Sequence, residues 1–425
     1  MEELGRLIMI NLDYDVAVIG AGPAGLAAAI SARKNGAKKV IILDRNSWLG
    51  GILPQCIHDG FGVEEIGISM TGPEYAEMYI KNAEKSGVSF LKETMVLSLS
   101  KSLKILAVNS KGLHKINAKA IVLAMGCREK TRWNVMIPGD RPSGIFTAGV
   151  AQGFINLYNI MVGKNVVILG SGDVGLIVAR RLKFEGANVL GVVEILPYAS
   201  GLPRNVVQCL DDYDIPLYLN HTVTYIKGKG RLESVTIAQV DENMNTIPGA
   251  EKTINCDTLL LSLGLIPENE LSKQVDIEID EITGGPIVDQ LFETTVSGIF
   301  TCGNCLQVYD TVDVLSIGAK LAGKNATLYA NGKNVKVKKY INVKAGKGIR
   351  YVVPQRINKP GVIHFSLRVE KPSESASIYI SDCEKEIFKK KLPWANPANM
   401  IEFKIDIKKE IIDSNKDLEV SLHGK

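Results

Sequence analysis

Long apolar runs are missing from this 425-residue sequence: none reaches the roughly 18 residues of a membrane-spanning helix. Histidine is scarce, with five residues, and none stands at metal-ligand spacing, so no metal site is expected. The seven cysteines are odd in number and scattered, which excludes a secreted disulfide framework and fits a reducing cytoplasm. A net charge of +4 is too small to argue for nucleic acid or an anionic membrane as partner. The stretch Lys333–Lys347 is the nearest approach to a basic run; Gly, Asn and Val interrupt it, and it reads as a solvated linker rather than a binding patch. The start, Met1 to Ile10, carries acids where a secretion signal has bases and lacks a long apolar core. What remains is an ordinary globular composition, 46% apolar and 23% charged, long enough for two or three domains.

Against that background stand two glycine-rich turns. The first is Gly20-Ala21-Gly22-Pro23-Ala24-Gly25, preceded by the apolar run Val16 to Ile19 and followed by a helical pattern, the run Val40 to Leu43, and Asp44. The second is Gly170-Ser171-Gly172-Asp173-Val174-Gly175, preceded by Val166 to Leu169 and followed by Val189 to Val193 and Glu194. Strand, tight turn, helix, strand and acid form the full context of a dinucleotide fingerprint. The glycines admit the turn, the close approach of a pyrophosphate and tight helix–strand packing, while the acid accepts hydrogen bonds from a ribose diol. Two complete units imply two dinucleotides, and hence a hydride passing between them.

Further along, Trp48 to Gly62 is too glycine-rich for a regular element, and a helical pattern covers Gly72 to Ser86. Alternating runs at Met95–Leu99, Leu103–Val108 and Gly112–Ile116 predict a β-meander, and Ala120 to Gly126 a separate buried strand. Strand-like segments continue to Thr258–Gly264, a short strand leads into Gly303-Asn304, and a long helix covers about Val312 to Ala330. Alternation at Ile363–Val369, Ile401–Ile407 and Leu418–Leu422 predicts a small antiparallel β-module at the end.

The ordered set of both turns, Asp44, Gly50-Gly51, Ala124-Met125-Gly126, Glu194, Gly264 and Gly303-Asn304 resembles the two-dinucleotide-binding-domain flavoproteins, the superfamily of glutathione and thioredoxin reductases. That resemblance implies an α/β fold of two Rossmann-like domains. It implies an FAD-binding domain at 1–148 and 265–335, an inserted NAD-binding domain at 149–264, and the β-module at 340–425. It implies FAD contacts from Gly20, Gly22, Pro23, Ala24, Gly25, Asp44, Arg45, Gly50, Gly51, His58, Val96, Ala124, Met125, Gly126, Gly303 and Asn304. For the nicotinamide dinucleotide it implies Gly170, Gly172, Asp173, Val174, Gly175, Glu194 and Gly264. The loop Gly50 to Gly62, the tetrapeptide Leu202-Pro203-Arg204-Asn205 and the β-module further resemble the FAD/NAD oxidoreductase subunits of anaerobic-type glycerol-3-phosphate dehydrogenases and of opine and amino-acid dehydrogenase complexes.

The departures count too. Glutathione reductase-type enzymes carry two cysteines, five apart, after the double glycine; here Leu53 and His58 stand there and Cys56 is out of register. Asn304 replaces the usual aspartate, so its contact brings no charge. Glu194 repels a 2′-phosphate, and no Arg or Lys lies between Ile195 and Leu202, so NAD(H) is expected over NADP(H). Cys302 and Cys305 form a CxxC that reads either as a redox dithiol or as buried thiols. Cys56 and His58 read either as redox thiol and proton donor or as pocket-shaping groups, and Asp310 and Asp313 either as flavin-tuning acids or as ordinary helix-start acids. Arg128 matches a basic position of the relatives, and Arg132 and Trp133 are expected over the cofactor cleft. The leading functional expectation is an NADH:FAD oxidoreductase that exchanges electrons with a partner dehydrogenase subunit, within a homo- or hetero-oligomer. The alternatives are a stand-alone NADH oxidase or peroxidase using Cys56 and a non-catalytic nucleotide-binding subunit.

Overall fold

The computed structural model describes residues 9–333, 339–382 and 385–424, so the reading of the first eight residues and the middle of the Lys-rich stretch lie outside it. The described chain forms two compact units, Met1–Cys127 with Pro267–Lys425, and Arg128–Ile266.

The first unit opens with β1 (Met9–Ile19), α1 (Pro23–Lys34), β2 (Val40–Leu43), the single turn α2 (Val63–Ile66) and α3 (Gly72–Lys85). Thr71 starts α3 with a capping box: its hydroxyl accepts from Glu74 N and Glu74 reaches back to Thr71 N. Then come β3 (Ser89–Leu91), β4 (Met95–Leu99), β5 (Lys104–Asn109) and β6 (Gly112–Leu123). The sheet runs β3-β2-β1-β6-β5-β4. Where the sequence predicts two strands, β6 is one. Asn117–Lys119 breaks the apolar alternation, yet β1 runs alongside in parallel from Met9↔Leu113 to Ile19↔Leu123 and keeps the chain extended. The front of β6 pairs with β5 and its end with the short strand at 299–301, so one strand serves the meander and the parallel sheet.

The second unit contains β7 (Ile145–Thr147), α4 (Ala148–Tyr158), β8 (Asn165–Leu169), α5 (Asp173–Phe184), β9 (Asn188–Val193), α6 (Pro203–Cys209) and β10 (Leu217–Tyr218). After the antiparallel strands β11 (His221–Gly228), β12 (Leu232–Val240) and β13 (Thr246–Asn255), β14 (Thr258–Leu261) completes a parallel sheet of order β10-β9-β8-β14-β7. Leu176, Val178, Ala179 and Leu182 of α5 are fully buried with Val166 and Ile168 of β8. A strand covered on both faces reads as a continuous apolar run, which is why Val166–Leu169 is visible in the sequence.

The first unit resumes with β15 (Ile299–Thr301) and α7 (Val312–Ala330), which lies closely on α1: a Cβ on Gly323 would fall 2.0 Å from Ala28 O. Last comes the module: β16 (Ile341–Ala345), β17 (Ile349–Val353), β18 (Arg356–Ile357), β19 (Gly361–Val369), β20 (Ser373–Asp382), β21 (Lys385–Ala395), β22 (Ile401–Ile407) and β23 (Leu418–His423). Two sheets, β18-β16-β23-β20-β21 and β17-β19-β22, share one apolar core in which Phe403 stacks between Phe365 and Phe388. The module is antiparallel except for β16 with β23. The linker reading fails for Ile341–Ala345, because Ile341 and Val343 point into this core while their neighbours face out. The edge strand β21 carries Lys389, Lys390, Lys391 and Pro393, residues that discourage further strand pairing.

A buried carboxylate binds the helices of the first unit together. Glu65 accepts from the hydroxyls of Tyr75 and Tyr79 and from the Lys320 ammonium, joining α2, α3 and α7. Burial opposes its ionisation, but Lys320 and the two tyrosines outweigh it and hold the carboxyl below its ordinary 4.5. Stability from this group is therefore full above about pH 4.5 and is lost as pH falls through the lower folded value. A Glu65→Gln variant is expected to lose about 2 kcal/mol at pH 7, discounted for the partial exposure of Lys320, and to show a flatter acid limb in Tm measured from pH 3 to 7.

Candidate functional site

Each unit carries one cradle, and the two are built alike. In the first, Gly20 N donates to Leu43 O at 2.8 Å, and Ala21 N to Asp44 Oδ2 at 2.7 Å. Asn46 N donates to Asp44 Oδ1 at 2.8 Å. In the second, Gly170 N donates to Val193 O at 2.7 Å, Ser171 N to Glu194 Oε2 at 3.0 Å, and Leu196 N to Glu194 Oε1 at 3.0 Å. Both acids thus lock the turn of their own unit from the end of the next strand. Strand-end carbonyls close the cradles from the other side: a Cβ on Gly20 would fall 2.2 Å from Ala124 O, and one on Gly170 2.1 Å from Ser262 O.

The residues suit dinucleotides. Gly22 and Gly172, at the N-caps of α1 and α5, have no side chain to cap the first-turn N–H groups, which suits the binding of an anion; in α5 one of these, Gly175 N, donates to Ser262 Oγ at 3.2 Å. Gly51 comes so close to Gly22 that a Cβ on it would fall 2.9 Å from Gly22 Cα; the double glycine therefore forms a wall of the first cradle. Gly303, on the turn after β15, packs against Ala24, 2.6 Å from a would-be Cβ. Gly126 and Gly264, at matching strand ends, both have positive φ, and a Cβ on either would meet no described atom within 4 Å.

The remaining predicted residues scatter more. Pro23 and Ala24 form the first turn of α1, and Gly25 crosses Gly20 O. Met125 follows Ala124 at the end of β6, Arg45 is exposed beyond Asp44, and Val96 lies in the core with Ile19 and Leu123. The Asn304 Oδ1 accepts from Tyr309 N at 3.1 Å, so the carboxamide shapes its own turn. His58 lies on the loop after Gly51, Nδ1 3.0 Å from Asp59 O, its ring tilted against Phe61 at 5.0 Å. The Cys56 thiol contacts Ile52 O at 3.5 Å, and burial pushes it up to about 12. Cys302 and Cys305 are wholly buried; Cys305 Sγ points at Leu123 O and Cys302 O, and burial raises both thiols. They fill the core. In the second unit Val174 is exposed on α5, and Asp173 Oδ1 accepts from Leu202 N at 2.8 Å and Asn205 Nδ2 at 2.6 Å. The Arg132 guanidinium holds the carbonyls of Ile137 and Gly139, closing its own loop, with Trp133 exposed. Arg128 is exposed where the second unit begins.

Sequence reasoning missed the partners. Ser200 donates to Glu194 Oε2 at 3.0 Å and its N–H to Ser171 Oγ at 2.8 Å, so the loop after β9 is fastened over the second turn. The tetrapeptide Leu202–Asn205 stands out in the sequence, and Asp173 supplies its purpose. Asp313, 2% exposed, accepts from Gly62 N and Glu65 N at 3.2 Å, so it caps α2 across the first cradle's loop.

Known proteins share this construction. A family model described as pyridine nucleotide-disulphide oxidoreductase matches residues 14–316. The chain is 26% identical over 314 residues to an opine oxidase subunit of Agrobacterium tumefaciens (strain Ach5), covering 68% of this chain and 61% of that one. It is 26% identical over 326 residues to an alkyl hydroperoxide reductase subunit of Staphylococcus aureus (strain MRSA252), covering 75% and 58%. The chain thus spans about three fifths of the length of these curated relatives. Thioredoxin reductase from T. acidophilum superposes with a TM-score of 0.62 at 24% identity, covering 76% of this chain and 99% of that one, which fixes the fold as thioredoxin reductase-like.

Proposed function

The chain belongs to the pyridine nucleotide-disulphide oxidoreductase family, an oxidoreductase family that uses FAD and NAD(P)H, and from that premise we propose a division of labour between its cradles. FAD lies on the Gly20–Gly25 cradle, in the domain formed by 1–148 and 265–335. NAD(H) lies on the Gly170–Gly175 cradle, in 149–264, with 340–425 as the added module. The repeated hydrogen-bond scheme of turn, acid and strand end carries this reading. When bound, the two cofactors supply the chemistry, a hydride passing between nicotinamide and flavin. The chain's own part is to bind and orient them. The first turns of α1 and α5, behind their glycine N-caps, take the pyrophosphates, Asp44 and Glu194 take ribose hydroxyls, and Gly51 and Gly303 admit the flavin portion closely. Glu194, already holding the turn, favours NADH over NADPH.

Electrons then pass to or from a partner dehydrogenase of the glycerol-3-phosphate dehydrogenase type. One relative is named as a subunit of opine oxidase, which supports a partnered role. Thiol chemistry is disfavoured: a nucleophilic cysteine must be a thiolate, and Cys56 is held near 12. The thiols fit a reducing compartment, the cytoplasm, and no described helix is long and apolar enough to cross a membrane.

Anaerobic NADH is expected to bleach the flavin and drive dye reduction, while the chain alone oxidises glycerol 3-phosphate negligibly until its partner is added. Cys56→Ser leaves dye reduction intact and iodoacetamide labels Cys56 poorly at pH 8. Peroxide turnover that disappears in Cys56→Ser would instead make the chain a peroxidase. A flavin that NADH fails to bleach would leave it a nucleotide-holding protein of a larger complex.

A further inference from the structure

The two cradles, so alike in their backbone, differ in side chains at two matching positions. After the first glycine stands Ala21 in one and Ser171 in the other; six residues past the acid stand Gly50 and Ser200. Both later residues tie back to the turn, Gly50 N donating to Ala21 O at 2.8 Å and Ser200 N to Ser171 Oγ at 2.8 Å. A methyl group and a hydrogen atom in the first cradle are thus two hydroxyls in the second, and both hydroxyls donate to the acid. Asp44 is held by two backbone N–H groups, those of Ala21 and Asn46. Glu194 has the equivalent pair, from Ser171 and Leu196, and the hydroxyls of Ser171 and Ser200 in addition. Asp44 stays partly exposed, whereas Glu194 is 4% exposed.

The crowding falls on one oxygen. Glu194 Oε2 accepts from Ser171 N at 3.0 Å, from the Ser171 hydroxyl and from the Ser200 hydroxyl at 3.0 Å, three donors on an atom with two lone pairs. A ribose hydroxyl can reach this oxygen only in exchange for one of them. Ser171 N is fixed in the turn, and the Ser171 hydroxyl is held in place because its oxygen accepts from Ser200 N. The Ser200 hydroxyl is the donor that can leave. Its residue is exposed, and its other contact, with Ser171 Oγ, is longer at 3.2 Å. Rotation about χ1 swings the hydroxyl away while the Ser200 N–H stays bound. The loop keeps a second hold at Asp173, which accepts from Leu202 N and Asn205 Nδ2.

We infer that the Ser200 hydroxyl holds the place of a ribose hydroxyl on Glu194, and that a nucleotide with a free ribose diol binds the second cradle by displacing it. This rests on the proposal that NAD(H) occupies that cradle. The exchange trades one hydrogen bond for another, so the diol gains little on meeting the carboxylate and is given up as readily. A nucleotide that brings or takes a hydride must leave after each transfer, and a serine that re-forms its own bond to Glu194 assists the departure. In the first cradle Gly50 has no hydroxyl to offer, so a ribose meets Asp44 without a competitor at this position.

The test is calorimetric titration of the purified flavin-loaded chain with adenosine 5′-monophosphate and with its 2′,3′-dideoxy counterpart, which lacks the diol. Ser200→Ala is expected to bind the monophosphate about fivefold more tightly than the parent, the worth of one net hydrogen bond, and the dideoxy nucleotide no more tightly. Ser200→Thr, which keeps a hydroxyl, is expected to match the parent with both. NADH follows the monophosphate, its dissociation from Ser200→Ala slowing by a similar factor in stopped-flow fluorescence. A hydroxyl that only braces the loop predicts the reverse, weaker binding of both nucleotides. That result, an unchanged affinity of Ser200→Ala for the monophosphate, or an equal gain for the two nucleotides, overturns the inference. Should Ser200→Ala fail to fold, Ser200→Gly, which reproduces Gly50, must show the same selective gain. A parent chain that binds neither the monophosphate nor NADH, or binding that Glu194→Ala leaves undiminished, overturns the placement of NAD(H) on this cradle, and this inference with it.

Discussion

A Gly25→Ala variant is expected to purify colourless and to melt well below the parent chain. The added Cβ would sit 1.8 Å from Gly20 O and 3.4 Å from Val18 Cγ1, and the first of these obstacles is backbone rather than a side chain that can turn aside. Nor can α1 back away. Along its length α7 already lies so close that Gly323 could carry no Cβ beside Ala28 O, and Thr327 Oγ1 donates to Ala32 O at 3.2 Å. The helix must therefore shift against the strand it follows, at a cost of about 3 kcal/mol or more. The same shift pulls the first-turn N–H groups from the place where the pyrophosphate is proposed to sit. Differential scanning calorimetry and the visible absorbance of the reconstituted chain are the measurements. A yellow Gly25→Ala protein with an unchanged Tm would refute the cradle as drawn.

The second large effect is expected at Glu194, and it should fall on one cofactor only. This carboxylate is 4% exposed and meets Ser171 N, Leu196 N and the hydroxyls of Ser171 and Ser200. Glu194→Ala removes the acceptor for two backbone N–H groups at once and unfastens the loop that Ser200 holds down. NADH affinity is expected to fall by about 30-fold, or about 2 kcal/mol, while NADPH binding changes much less, so discrimination between the two nucleotides shrinks. Flavin content should not change, because every contact of Glu194 described above belongs to the second unit. Fluorescence titration with both nucleotides, alongside the flavin-to-protein absorbance ratio, separates the outcomes. Equal losses for NADH and NADPH would deny Glu194 its role in choosing between them.

The parts legible in the sequence are those whose requirements are local. A turn that approaches Ala124 O or Ser262 O within a would-be Cβ contact must be glycine, whatever surrounds it, so both cradles can be read at Gly20 and Gly170. The helix Val312–Ala330 and the alternating strands of the module likewise follow from short-range periodicity. Illegible parts depend on partners far along the chain. Asn117–Lys119 looks like a break until β1 is laid beside it, and Ile341–Ala345 looks like a linker until Leu418–Val420 pairs with it. Asp310 and Asp313 give only the weak message of acids at a helix start. Their employment, by Arg368 and by the N–H groups of Gly62 and Glu65, is a matter of tertiary contact. The CxxC at Cys302 and Cys305 shows the opposite failing, a spacing that signals redox chemistry at two side chains that are wholly buried, with burial raising both thiols.

The place of β23 in the module bears on how the molecule is made. Leu418–His423 lies between β16 and β20, in the middle of its sheet, with Val343↔Leu418 on one side and Ile380↔Val420 on the other. A nascent chain emerging from the ribosome can wind both nucleotide folds early, but it must hold two strands of the sandwich with raw edges until residue 423 has cleared the exit tunnel. Stalled synthesis just short of Leu418 would yield a chain with competent cradles and an open, aggregation-prone tail.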